Sequence, residues 1–397
     1  MPATSPAADR TRADRCPGVL RLAEAADGYL ARIRLPGGLI GAGQLRALAR
    51  LADELGDGRV ELTSRGNVQL RGLAADVAGP LTDQLARAGL FPSPEHDLVR
   101  NVLASPLAGL DGGPDLTAIV QGLDAALCAR PRLAELPGRF LFAVDDGRGD
   151  VTGLGADVIA RVQVHGAVVN GLAIRGSGRG QAGTDRPVVA DVVTVMLACA
   201  EAFLDLRAAE GGAAWRIAEL ADGAERVRAA VAARLRLAAV PQPPARPADR
   251  AVGPTARPVG VVGTGGTAAV LLAPLGRLTA AQLTWLADRV SVRPARITPW
   301  RGVVLPDLPD AAGLIRDAAG LGYGVDAGSP WLRVTACAGR PGCASALADV
   351  QADAGAFAAR WPERIVHVSG CARHCGRPLG PLVDVTATSE GYQVAGI

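Results

Sequence analysis

The stretch that decides the fold is Leu62-Thr63-Ser64-Arg65-Gly66-Asn67-Val68-Gln69-Leu70-Arg71, because it has a counterpart later in the chain. The counterpart reads Arg296-Ile297-Thr298-Pro299-Trp300-Arg301-Gly302-Val303-Val304-Leu305. Each is preceded by an amphipathic helix pattern, Gln44-Leu45 with Leu48-Ala49 in one case and Gln282-Leu283 with Leu286-Ala287 in the other. Apolar residues at that spacing share one helical face. A strand pattern stands before each helix (29–35 and 268–272) and another after each arginine (68–70 and 303–305). A further helix pattern (80–88 and 311–320) closes each block. The spacing predicts a βαββα-like unit that occurs twice.

An α/β segment follows each unit. The first opens at Arg100-Asn101-Val102 and ends with helices over 190–235; the second opens at Arg333-Val334-Thr335. Between them, 236–258 carries repeated proline without a period, as a linker does. Residues 1–15 are polar and are expected to be disordered. The expected order is therefore a half-domain over 16–90, an α/β domain over 91–235, the linker, a second half-domain over 259–328 and a final domain over 329–397. At ~150 residues per domain, 397 residues suit two or three domains.

Hydrophobic residues make up 49% of the chain and charged ones 20%, which is globular composition. A net charge of +3 gives no sign of a nucleic-acid partner. There is no lysine, so all 42 basic residues are arginines. Any anion site must therefore use planar guanidinium forks, which suit carboxylates. No lysine acid, base or Schiff base is possible. The N-terminus lacks the apolar core of a signal peptide. The greasiest stretch, 192–206, contains Glu201 and Asp205 and reads as a buried helix rather than a membrane span. Seven irregularly spaced cysteines suggest reduced thiols and a cytoplasmic location.

Four of those cysteines form two pairs. Cys337 and Cys343 bracket Ala-Gly-Arg-Pro-Gly, and Cys371 and Cys375 bracket Ala-Arg-His. A helix over 344–359 is expected to bring the chain back between them. A structural zinc site spaces its cysteines by two to four residues, which fits the first pair poorly. A redox dithiol needs only one pair. Unliganded core thiols would not cluster in glycine-rich loops. A four-iron cluster accounts for all four residues. Cys199 and Cys128 read as helical, Cys199 in the core, and Cys16 has no assigned role.

On a strand, Arg65, Asn67, Gln69 and Arg71 would share one face, with no acidic partner among them. Arg32 and Arg34 lie on the strand before. Arg100, Arg139, Arg296 and Arg301 open other segments. Together they suit a flat ligand with several carboxylates, each held by two parallel bonds. Two further motifs are set aside. Gly263-Thr-Gly-Gly-Thr-Ala268 loosely matches a dinucleotide fingerprint, but a strand follows where a helix is required, so it reads as a hairpin turn. Arg175-Gly-Ser-Gly-Arg-Gly180 lacks a P-loop continuation and reads as a loop.

The two cysteine pairs, the Thr-Ser-Arg-x-Asn-x-Gln strand, Arg34-Leu-Pro-Gly-Gly38 and Arg100-Asn101-Val102, in that context, resemble the sulfite/nitrite reductase superfamily. The resemblance covers roughly 16–395. It implies an α+β fold of duplicated ferredoxin-like half-domains plus two α/β reductase-type domains, related by a pseudo-twofold. It also implies a 4Fe-4S cluster on Cys337, Cys343, Cys371 and Cys375. In sirohaem reductases the position of Cys375 bridges cluster and haem iron.

The stretches Ile297–Leu305 and Leu136–Asp150 look most like the branch that acts in oxygen-dependent cobalamin synthesis. That resemblance implies O2-dependent C-20 hydroxylation and γ-lactone formation on precorrin-3A, with NADH as ultimate reductant and a reductase or ferredoxin as donor. The tetrapyrrole would be held by Arg32, Arg34, Arg65, Asn67, Gln69, Arg100, Asn101, Arg139, Arg296 and Arg301. A mononuclear non-haem iron is also implied. Its ligands are unassigned among His96, His165, His367 and His374, with Asp145, Asp146 and Asp150 as carboxylate candidates. One departure is plain. Where sulfite reductases carry Lys-x-Lys, this chain has Arg139 and Leu141, and arginine is a poor acid. The alternatives are a sirohaem nitrite or sulfite reductase and a non-catalytic iron–sulfur or tetrapyrrole-binding protein.

Overall fold

The computed structural model describes residues 16–163, 166–175, 189–240, 257–378 and 380–396. The expected disordered lead-in, the Gly176–Gly180 part of the second motif set aside and most of the linker lie outside them. The chain divides into two compact units.

The first unit takes in Arg34–Leu39 and Leu90–Ala251. Its sheet runs in the order Leu172–Arg175, Gly166–Val169, Val158–Gln163, Phe142–Asp145, Val102–Ala104. The last three strands are parallel, and the first two are hairpin additions. Helices Thr117–Cys128, Val189–Ala209 and Gly223–Leu235 pack with them around one core. Phe140 anchors it, with ring centroids 5.2 Å from Phe142 and 5.0 Å from Phe203. Asp191 in the first turn of the long helix and Arg207 in its last complement the helix dipole. Cys199 is fully buried there, and burial pushes its thiol up to about 12, which leaves it an inert core residue.

The second unit contains three sheets. The first has the order Ala23–Ala25, Gly28–Ile33, Val68–Leu73, Arg59–Leu62, Arg277–Thr279. The second has Gly260–Val262, Ala268–Leu272, Gly302–Leu305, Ala295–Ile297, with Leu39–Ile40 at its edge. The repeats thus exchange strands: Arg277–Thr279 of the second edges the first sheet, and the strand ending at Ile40 edges the second. Helices Ala42–Leu55 and Ala280–Ala287 pack on one another. The 263–268 segment is a short turn between the antiparallel strands Gly260–Val262 and Ala268–Leu272, as its sequence predicts.

The repeat extends to single hydrogen bonds. Gln44 accepts the Gly41 N–H at 2.9 Å, and Gln282 accepts that of Thr279 at 2.9 Å, so each glutamine closes the start of its helix. The Thr63 N–H bonds Asn67 O (2.9 Å), the Gly66 N–H bonds Thr63 O (3.1 Å), and the Asn67 N–H bonds Thr63 Oγ1 (3.1 Å). Thr298, Arg301 and Gly302 repeat the set at 2.8, 3.1 and 2.8 Å.

This register corrects two expectations. Arg65 lies in the turn, not on the strand. The structural counterpart of Arg301 is Gly66 rather than Arg65: both are left-handed, with φ of 64° and 66°.

The third sheet runs Val334–Ala336, Val366–Ser369, Val383–Thr388, Gly391–Ala395, with the first three strands parallel. Helix Val350–Arg360 covers it. The expected helix over 344–359 begins later because Asp349 caps it, accepting the Ala352 N–H at 3.1 Å.

Candidate functional site

Val334–Ala336 and Val366–Ser369 are parallel neighbours, with Ala336 opposite Val368. Parallel strands end on the same side, so the Cys337 and Cys371 loops leave the sheet together. Leu347 donates its N–H to Gly370 O at 2.8 Å, and Gly370 donates its own to Cys337 Sγ at 3.1 Å. A β-carbon at Gly370 would stand 2.7 Å from Ala346 Cβ, so the loops meet where only glycine fits. Cys337, Cys343, Cys371 and Cys375 line one cavity of about 590 Å³ with Glu24, Arg71 and Arg373.

The donor set fits a four-iron cluster: four thiols lining one open cavity and an N–H directed at one sulfur. A single zinc ion fits less well. Zinc–sulfur bonds of ~2.3 Å bring sulfurs to about 3.8 Å of one another. Among the described residues, the only ligand-type group of three within 4.8 Å is Asp145, Asp146 and Asp150.

Arg71 ties this cavity to the first half-domain sheet. Its Nε and Nη2 donate to the two carboxylate oxygens of Asp27 at 3.0 and 2.9 Å, and Nη2 also donates to Gly342 O at 2.8 Å. Burial opposes its charge, but the bond to Asp27 and the charges of Glu61 and Asp57 raise its pKa above the ordinary value. The strand face is therefore not free of carboxylates. Gln69 stands opposite both Arg32 and Glu61, accepting from Arg32 Nη2 at 3.0 Å and donating to Glu61. Arg277 lies opposite Glu61 on the exchanged strand. The sequence alone hides this row because its members come from four strands.

Asn67 and Arg296 are buried at the first and second repeats. Arg301 crosses Gly276 so closely that a β-carbon there would lie 2.6 Å from its Cδ. Burial lowers the pKa of Arg301. Burial, and then the charge of Arg301, lower that of Arg257, which sequence reading left in the linker. The indole N–H of neighbouring Trp300 is buried without a hydrogen-bond partner.

In the first unit Arg34 is buried and Nη2 points to Leu98 O at 3.5 Å. Arg100 makes a forked pair with Asp124, both bonds 2.7 Å, and Asn101 donates to Leu98 O and Gly138 O. The scaffold takes up the donors of Arg100 and Asn101, which removes these two from the expected ligand cradle. Arg139 lies over the Trp215 ring at 4.8 Å. Leu141, where a sulfite reductase has its second lysine, is a core residue.

Asp145, Asp146 and Asp150 do converge, but Ser105 bonds Asp145 and Asp150, and Arg148 pairs with Asp146. Burial pushes Asp150 up to about 7. No described histidine joins them. His96 bonds Ser93 and Arg130 O, His367 bonds Thr335, and His374 lies beside Asp384. Open-site iron favours histidine with a carboxylate, so this cluster does not fit the mononuclear iron. His165 lies outside the described residues.

Two exchanged half-domain sheets and a cysteine-lined cavity are features this chain shares with nitrite and sulfite reductases in the comparisons that follow. Residues 22–88 match the nitrite/sulfite reductase ferredoxin-like half domain. The solved structure of the Mycobacterium tuberculosis NirA protein shares the fold, with a TM-score of 0.68 and 23% identity, covering 92% of this chain and 74% of that one. Along most of its length the chain is similar to a precorrin-3B synthase. The Sinorhizobium sp enzyme of that name is 28% identical over 400 residues, 96% of this chain and 82% of its own. A sulfite reductase [ferredoxin] from Mycobacterium tuberculosis (strain CDC 1551 / Oshkosh) is 27% identical over 416 residues, 92% of this chain and 72% of its own. No helix among the described residues is long and apolar enough to cross a membrane.

Proposed function

We propose that this chain is a precorrin-3B synthase-like monooxygenase, inserting one oxygen atom of O2 at C-20 of precorrin-3A with closure of an acetate to a γ-lactone. The other oxygen atom leaves as water, and NADH supplies the two electrons through a reductase or ferredoxin. A 4Fe-4S cluster on Cys337, Cys343, Cys371 and Cys375 supplies single-electron transfer when bound. The chain's own residues do the rest. Arg32, Arg65, Arg296 and Arg301, with Asn67 and Gln69, hold and orient the carboxylates of the tetrapyrrole. Guanidinium forks grip carboxylates in a fixed plane, which suits a rigid macrocycle. Glu61 holds Gln69 in place for that task.

One observation carries the choice of hydroxylase over anion reductase. The cysteine cavity of the reductase class persists, while the lysine pair has become Arg139 and buried Leu141 in a chain without lysine. Reduction of sulfite or nitrite then lacks its proton donor, whereas a tetrapyrrole substrate needs only the cradle. The test supplies anaerobically purified protein with precorrin-3A, O2 and a reduced ferredoxin, and follows product mass. Gain of one oxygen atom supports the reading. Turnover of sulfite or nitrite with reduced dye and a sirohaem absorption band, without oxygen incorporation, would support the reductase instead.

A further inference from the structure

The cavity that holds the cysteines is closed on one side by a residue that touches no metal. Arg71 reaches it from the first half-domain sheet, grips both oxygens of Asp27, and spends its remaining Nη2 contact on Gly342 O, the residue before Cys343. Both side chains are largely buried, at 9% and 15% exposure. The fit is tight: a β-carbon at Gly342 would lie 2.7 Å from Arg71 Nη2 and 3.2 Å from Asp27 Oδ2. The Cys337–Cys343 loop is also held by the Cys337 N–H bond to Val368 O, the Gln351 bond to Cys337 O, the Arg340 N–H and Nε bonds to Ala348 O and Ala346 O, and a turn in which Cys343 O accepts the Ala346 N–H. The turn at Cys343 is local, whereas the Arg71 bond to Gly342 O ties that end of the loop to a different sheet.

We propose that Arg71 and Asp27 form a latch: a positioning pair that sets Cys343 against the cluster and places a compensated charge pair beside it. The inference rests on the cluster of the proposed function. Reducing a cluster adds negative charge, so each half of the pair acts on the reduction potential with opposite sign. Removing the guanidinium disfavours the added electron, and removing the carboxylate favours it.

The test compares full-length wild type with Arg71→Gln, Asp27→Asn and Gly342→Ala, all purified without oxygen. Iron and acid-labile sulfide per chain, the lifetime of the cluster absorption in air, and the midpoint potential are measured, with circular dichroism as the check on folding. The latch predicts a lower potential for Arg71→Gln and a higher one for Asp27→Asn. Gly342→Ala, which removes neither charge but crowds both, should shorten the cluster lifetime several-fold. Should either charge variant fail to fold, the Gly342→Ala lifetime still decides. Folded variants with wild-type lifetime and potential, or charge variants that shift the potential the same way, overturn the latch alone. A wild type without iron and sulfide overturns the proposed function and the latch with it.

Discussion

At the scale of single residues, Arg301 is the informative one. It sits where the first repeat has Gly66, at a left-handed φ that costs an L-residue about 1–2 kcal/mol. Burial also lowers its pKa, so its charge is held at a further cost. Strain of this kind persists where function demands it. Arg301→Gly should therefore leave the fold as stable or more stable, by up to about 1 kcal/mol after the glycine's own entropy cost, and weaken precorrin-3A binding by ~1.5–3 kcal/mol. Thermal melts and tetrapyrrole titration check the two halves separately; a variant that binds normally removes Arg301 from the cradle. The Arg-Gly repeat was visible in the sequence, but its one-residue offset was not, because only the turn's hydrogen bonds fix which residue is left-handed. Arg100 shows the opposite failure. Its fork looked available until Asp124, 24 positions away, was seen to fill it.

A second residue-scale consequence concerns Asp150. Its folded pKa is raised to about 7 from an ordinary value of 3.8, chiefly by burial. The folded state thus holds the proton more tightly than the unfolded one. Stability from this group is fully present below about pH 4 and is lost as pH rises toward 7. Asp150→Asn should raise the melting temperature at pH 8 and flatten its slope between those values. An unchanged slope would mean that another group carries it.

At the scale of elements, the deciding feature is a pair of loops at the ends of two parallel strands. Their cysteine content and glycine richness were legible, and so was the strand before each. Their meeting was inferred through a helix that in fact starts at Val350, since residues before it are taken up by the loop contact of Leu347 with Gly370. Gly370→Ala tests the contact. The added carbon would meet Ala346 Cβ at 2.7 Å, and overpacking of that kind costs ~1–3 kcal/mol. The sheet should survive, with an unchanged far-ultraviolet spectrum, while iron retention falls severalfold; full retention would show that the loops need not meet so closely.

At the scale of the whole molecule, the duplication was readable because helix periodicity, capping glutamine and turn threonine recur in order. The strand exchange was not readable, since Leu39–Ile40 and Arg277–Thr279 are too short to carry a pattern. The polar row Arg32–Gln69–Glu61–Arg277 was hidden for the same reason, as its last member arrives by that exchange. The proposed function rests on one cubane within four thiolates, and its composition is the most direct measurement. Protein purified without oxygen should contain about four iron atoms and about four acid-labile sulfides per chain, with little zinc. Stoichiometric zinc with no labile sulfide would contradict the account.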